Sequence, residues 1–175
     1  LKVHQGNRGK GFEEVLNTAN FQYKNRGIAL INKRPTPIKV LKTKGVHILK
    51  AVWESKSTVD YDGIWKGRSI QFEAKTTNKK RFDLDMLTPG QISFLDQAEK
   101  QGAISFVLVE IRPIQSVFLI PNNMVQKYTR NAQKGGRKSI PLDELEVYAD
   151  VVQQNRGIVL DYLAVVDKHI KALSG

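Results

Sequence analysis

The sequence predicts a mixed α/β (α+β) domain built around one sheet, and three observations predict it. An apolar stripe at helical spacing occupies residues 8–26, and a nearly unbroken apolar run at 103–111 reads as a central strand buried on both faces. Between them, two pairs of β-prone runs turn at Lys44-Gly45 and at Lys66-Gly67, as hairpins do. No repeat, low-complexity tract or linker divides the chain, so residues 1–175 read as a single domain large enough to bury a core.

In order, Phe12, Val15, Leu16, Ala19 and Tyr23 fall on one face of the first helix, and Gly27 is placed to end it in a left-handed conformation. Residues 28–31 follow as a short strand. Lys33-Arg34-Pro35-Thr36-Pro37 interrupts regular pairing, because proline has no amide hydrogen to donate. Residues 38–53 alternate around Lys44-Gly45 and predict a hairpin in which Lys39 faces Lys50 if the turn is tight. A second hairpin spans 57–76, and residues 77–87 read as a polar, basic loop. Thr88 is a helix cap and Pro89 a first helical residue; that helix runs to Gln101 with Ile92, Leu95 and Ala98 on one face, and Gly102 stops it. After the central strand, 116–120 is a shorter one, and Pro121 opens a helix to Gln133 with Met124, Val125 and Tyr128 inward. Gly135-Gly136-Arg137-Lys138 is a basic loop, either a phosphate clamp or a mobile linker. Residues 139–150 hold one short helical turn, and 161–173 a final helix with Tyr162, Leu163, Val166 and Ile170 on its core face.

Composition narrows the function. The chain carries 28 Lys and Arg against 17 Asp and Glu, a formal net charge of +11, which favours a polyanion as partner. The distribution is sharper than the total. Between Val15 and Trp53 there are eight basic residues and no acid; between Ile111 and Leu142 there are six and again no acid. Segments cleared of acids in this way suit contact with phosphates. The absence of cysteine excludes a disulfide framework and a thiolate metal site, and His4, His47 and His169 lack the paired spacing of a histidine site. No apolar run approaches the ~18 residues of a membrane-spanning helix and no charged-then-apolar leader is visible, so a cytoplasmic protein with no membrane partner is expected.

The chemistry concentrates in the second hairpin. With Lys66 and Gly67 as the turn, Trp65 faces Arg68, Tyr61 faces Phe72, Asp60 faces Glu73 and Thr58 faces Lys75. Two opposed carboxylates repel unless something lies between them, and a divalent cation with positions open for water and phosphate resolves the conflict. Lys75 beside them would orient or activate a water or steady charge on phosphorus, and Thr58 on the same face would bond a phosphate or a metal-bound water. Asp60 and Glu73 also read as solvated acids on a surface hairpin. Lys75 two residues on, and Lys79-Lys80-Arg81 beyond it, weigh against that.

Asp60 followed by Glu73-Ala74-Lys75 resembles the Asp…Glu-x-Lys signature of restriction-endonuclease-like nucleases. Longer strings, Asn7-Arg8-Gly9, Lys33-Arg34-Pro35-Thr36-Pro37, Ser57-Thr58-Val59-Asp60-Tyr61, Phe72-Glu73-Ala74-Lys75-Thr76 and Gly135-Gly136-Arg137-Lys138-Ser139-Ile140-Pro141, resemble in order the RecU Holliday junction resolvases, from about residue 7 to Asp161-Tyr162-Leu163. The resemblance implies a four- or five-stranded mixed sheet flanked by helices, with residues 33–53 protruding as a basic stalk that contacts the junction through Lys33, Arg34, Lys39, Lys42, Lys44 and Lys50. Lys79, Lys80, Arg81, Arg137 and Lys138 are further expected DNA contacts. It implies a metal-site glutamate on the first helix, where the match falls on Glu13 with Glu14 adjacent, and a Gln near the metal at Gln91, which an ordinary helix glutamine would equally explain. The expected activity is Mg²⁺- or Mn²⁺-dependent cleavage of four-way DNA junctions by a homodimer in recombination and repair, with a recombinase filament or branch-migration machinery as further partners. Another endonuclease of the same fold, or a non-catalytic DNA-binding recombination modulator, is the alternative.

Overall fold

The structure is a computed structural model and describes residues 10–53 and 58–174 of the chain. Asn7-Arg8-Gly9, the start of the first helix expected at residue 8, His4 and Ser57 lie outside the described residues. The elements run α1 (Lys10–Asn25), β1 (Ala29–Lys33), β2 (Ile38–Lys44), β3 (His47–Trp53), β4 (Tyr61–Trp65), β5 (Arg68–Thr77), β6 (Arg81–Asp83), α2 (Pro89–Lys100), β7 (Ile104–Ile111), β8 (Ser116–Pro121), α3 (Asn122–Gln133), β9 (Ser139–Pro141), α4 (Leu142–Tyr148), β10 (Asp150–Val152) and α5 (Tyr162–Ser174). β1-β4-β5-β7-β8-β10 form one sheet, parallel between β5 and β7 and antiparallel elsewhere. That makes six strands rather than four or five. The added strand, β10, is three residues long, too short to carry a period that sequence alone could show.

The sheet is covered on both faces. On one, Phe12, Leu16, Ala19 and Tyr23 of α1 and Tyr162, Leu163 and Val166 of α5 pack on Tyr61, Trp65, Ile70, Phe72, Phe106 and Leu108. Val15, expected in the α1 stripe, stands at its border and is exposed. Gly27 ends the helix with φ +62°. On the other face, Val107, Val109 and Ile111 meet Leu95 of α2, Met124, Val125 and Tyr128 of α3 and Leu145 of α4. Residues 106–109 are therefore buried alternately toward both layers, as their continuous apolar run requires. Tyr61, Phe72 and Phe106 lie side by side on β4, β5 and β7 and stack at 4.8 and 4.9 Å, with Tyr162 of α5 tilted against Phe72 at 5.2 Å. Asp161 anchors α5 to α1: it accepts from Arg156 Nε and Nη2 at 2.7 and 2.9 Å and from Tyr23 Oη at 2.9 Å.

Two local departures matter for the site. The segment expected to be a loop at 77–87 contains β6, which pairs with β9 as a separate two-stranded ribbon and seats Phe82 in the core opposite Ile140. The stalk hairpin β2–β3 forms as expected, a separate ribbon exposed along its whole length, but its turn is Gly45-Val46 rather than Lys44-Gly45. Lys44 pairs with His47, and Lys39 faces Val52, not Lys50. Register shifts on either side of Lys42 leave Leu41 on one strand and Leu49 on the other without partners, and they bring Lys42 opposite Lys50. The opposition of two lysines inferred from sequence is present, nearer the tip than expected. Glycine at position 45, with φ +58°, supplies the left-handed conformation that makes this turn possible.

Candidate active site

The site grows from the β4–β5 hairpin. Lys66 and Gly67 are its turn, and Tyr61↔Phe72 through Trp65↔Arg68 pair in the expected register. Residues 61, 63 and 65 face α1, and Gly63 is required there: a Cβ on it would stand 2.1 Å from the Leu30 carbonyl oxygen of the neighbouring β1. Because side chains alternate, Ile70 and Phe72 of β5 enter the α1 core while Gln71, Glu73 and Lys75 project to the opposite face.

Asp60 precedes the regular ladder. Its backbone N–H donates to Glu73 Oε1 at 3.0 Å, and its Oδ2 accepts from the Ala74 N–H at 3.2 Å. Lys75 Nζ donates to both acids, at 2.5 Å to Glu73 Oε2 and 3.2 Å to Asp60 Oδ2. Glu73 is fully buried, whereas the Asp60 side chain is 33% exposed, so the cluster opens to solvent on the Asp60 side. Burial, then the hydrogen bond with Asp60, pushes the Glu73 carboxyl up to about 8 against the opposing pull of Lys75. Burial alone would lower the Lys75 ammonium, but the Glu73 and Asp60 charges outweigh it and hold its pKa above the ordinary value. Buried Glu73 thus keeps a proton that a surface carboxylate would release, even with the Lys75 ammonium beside it.

The other expected site residues are distributed unevenly. Glu13 belongs to α1 on the opposite layer and pairs with Lys33 Nζ at 2.5 Å, both side chains about half exposed. The buried Tyr61 hydroxyl, which has no hydrogen-bond partner among the described residues, lies near both Glu13 and Asp60; burial and then those two charges raise its pKa. Among the described residues no cluster of three or more His, Cys, Asp or Glu is close enough to hold a metal, so the acids brought together are Asp60 and Glu73. Thr58 does not face Lys75 in the ladder; its hydroxyl accepts from Arg34 Nη1. Gln91 is a capping residue: its Oε1 accepts from the Thr88 N–H at 2.9 Å, and Thr88 Oγ1 accepts from the Gln91 N–H at 3.2 Å. Lys79 and Arg81 both bond Asp83, at 2.5 and 2.7 Å, just beyond the end of β5, while Lys80, Arg137 and Lys138 are exposed. Lys39, Lys42, Lys44 and Lys50 are all exposed on the stalk.

Sequence reasoning missed Asp62. It bonds Arg34 Nε at 2.9 Å, so Arg34, expected to meet phosphate, has two of its nitrogens engaged within the protein. The signal was present in the alternation of Thr58, Asp60 and Asp62, three polar residues at spacing two.

A family model described as "RecU: Recombination protein U" matches residues 7–168. The chain belongs to the RecU family. A protein named Holliday junction resolvase RecU from Geobacillus sp. (strain WCH70) is 37% identical to this RecU family member, covering 96% of this chain and 87% of its own. Another of that name, from Pediococcus pentosaceus, is 34% identical with the same coverage of both chains. The solved structure of Archaeoglobus fulgidus Hjc, described as a Holliday junction resolvase, aligns over 77% of this chain and 92% of its own, with a TM-score of 0.46 and 12% identity.

Proposed function

We propose that this RecU family member is an endonuclease that resolves four-way DNA junctions by divalent-cation-dependent hydrolysis of phosphodiesters, in homologous recombination and repair. The observation that carries the proposal is the meeting of Asp60, Glu73 and Lys75 on one strand pair, in a chain whose relatives are named Holliday junction resolvases. The donor set fits Mg²⁺, with Mn²⁺ as a substitute: two carboxylates, one of them buried and driven to hold a proton, and no soft ligand. Asp60 and Glu73 would hold the ion, with Glu13 able to join only by leaving Lys33. When bound, the ion lowers the pKa of a coordinated water and offsets charge accumulating on phosphorus.

The chain's own groups supply the rest. The Ala74 and Asp60 amides fix one oxygen of each carboxylate, so the acids are oriented before DNA arrives. Lys75 reaches the site on a side chain only 18% exposed and is placed to hold the attacking water or to meet the equatorial oxygens of the phosphate. The exposed lysines of the stalk form a ribbon slender enough for a groove or for the open centre of a junction. The described residues of one chain carry one such cluster, and resolution takes two symmetric cuts, so the working form would be a two-fold dimer. A recombinase filament or branch-migration machinery would be its neighbours, in the cytoplasm. No helix among the described residues is long and apolar enough to cross a membrane.

A labelled four-way junction incubated with the protein and Mg²⁺ should yield paired nicks at symmetry-related positions. Equal rates on linear duplex would overturn junction selectivity. Replacing Lys39, Lys42, Lys44 and Lys50 together by alanine should weaken junction binding and flatten its salt dependence, by about 0.9 in log–log slope for each phosphate no longer neutralised. Binding isotherms at several salt concentrations measure this, and unchanged affinity would remove the stalk from the DNA-binding surface.

A further inference from the structure

Asp60 lies outside the regular ladder, so neither β-pairing nor a helix holds its main chain. Its N–H is held by Glu73 Oε1, at 3.0 Å, and its carbonyl side is held by Arg34. The Arg34 N–H donates to the Asp60 carbonyl at 2.8 Å. Its guanidinium reaches past Asp60 on both sides, Nη1 to the Thr58 hydroxyl and Nε to Asp62 Oδ2 at 2.9 Å. One residue therefore grips the chain at positions 58, 60 and 62. Arg34 is also the last residue before Pro35-Thr36-Pro37, a segment unable to form a continuous ladder of its own. The Arg34–Asp62 pair is partly shielded, with the two side chains 37% and 29% exposed. A planar fork that spans two acceptors is a geometry lysine cannot copy.

We infer that Arg34 is a positioning residue: it sets the main-chain path through Asp60 and so aims the Asp60 carboxylate at the site shared with Glu73 and Lys75. The inference rests on the assignment of Asp60 to a cation site. A residue whose role was contact with DNA phosphate would leave cation binding alone when replaced. A residue that aims Asp60 would leave metal-free DNA binding alone.

The test measures Mn²⁺ affinity by titration calorimetry and junction affinity in EDTA for the wild type, Arg34→Ala, Arg34→Lys and Asp62→Asn, each checked for folding by its thermal transition. Arg34→Ala should lower Mn²⁺ affinity by about 10–100-fold, the range for loss of a group that orients a metal ligand, and change junction affinity by less than about twofold. Asp62→Asn should weaken Mn²⁺ binding in the same direction. Arg34→Lys keeps the charge and secures a folded comparison, yet should resemble Arg34→Ala in Mn²⁺ affinity. Wild-type Mn²⁺ affinity in Arg34→Lys, or reduced junction affinity in Arg34→Ala with Mn²⁺ binding intact, would overturn the inference and return Arg34 to the DNA-binding surface. A wild type that takes up no Mn²⁺ would instead overturn the nuclease reading, and the inference with it.

Discussion

Replacing Lys75 with alanine is expected to slow junction cleavage by about 10²–10³-fold, the usual cost of removing one aligned donor from developing charge, while junction binding persists. The asymmetry follows from position. Lys75 is mostly buried and donates to Glu73 and Asp60, so it adds little to the surface field that attracts DNA. The same geometry gives a second expectation that a plain loss of charge would not. Because Nζ occupies oxygens that a cation would use, Lys75→Ala should bind Mn²⁺ at least as tightly as the wild type. Single-turnover cleavage, metal-free junction binding and Mn²⁺ calorimetry on one preparation give all three quantities. Abolished junction binding with unchanged turnover would reverse the role assigned to this residue.

The buried acid predicts a coupling between protons and metal. Glu73 holds its proton up to about 8 in the fold, against 4.5 for an ordinary glutamate. Between those values the folded state binds a proton that the unfolded chain has released, so without metal the stability present below 4.5 is progressively lost as pH rises toward 8. In EDTA, the contribution of this group should therefore lower Tm across that window. Mn²⁺ should remove most of the decline by taking the proton's place, and its binding near pH 6.5 should release about one proton, read as a dependence of the heat on the ionisation enthalpy of the buffer. Glu73→Gln, with no proton to lose, should abolish both the proton release and most of the binding. A Mn²⁺ heat that is the same in every buffer would show that Glu73 is already ionised, and the coupling of proton to metal at the buried carboxyl would fail.

Much of this is legible in the sequence because the informative residues are local. Lys66-Gly67 and the apolar alternation around it set the β4–β5 register, and the register brings Asp60 to Glu73 and Lys75. Thr88-Pro89 spell a helix start, and Gln91, expected near the metal or as an ordinary helix glutamine, closes the capping box of that start. The unread parts depend on residues distant in the chain or on elements too short to show a period. β6 pairs with β9, which follows only after α2, β7, β8 and α3, so the stretch holding it reads as a loop. In the stalk the alternation of lysine and aliphatic residues suits several registers equally, and two offset bulges rather than a tight turn at Lys44-Gly45 decide which lysines oppose. Arg34 reads by its charge as a phosphate ligand, whereas its partners Thr58 and Asp62 come from 24 and 28 residues further along.

The strand that carries Glu73 and Lys75 is interior to the sheet, hydrogen-bonded to β4 on one side and β7 on the other, with the Tyr61–Phe72–Phe106 stack at its back. Amides in such a place exchange with solvent only when the domain as a whole opens. The groups assigned to chemistry thus sit on the least compliant part of the molecule. Accommodation of substrates of different arm angle would then fall to the exposed β2–β3 ribbon, which pairs with no strand of the six-stranded sheet.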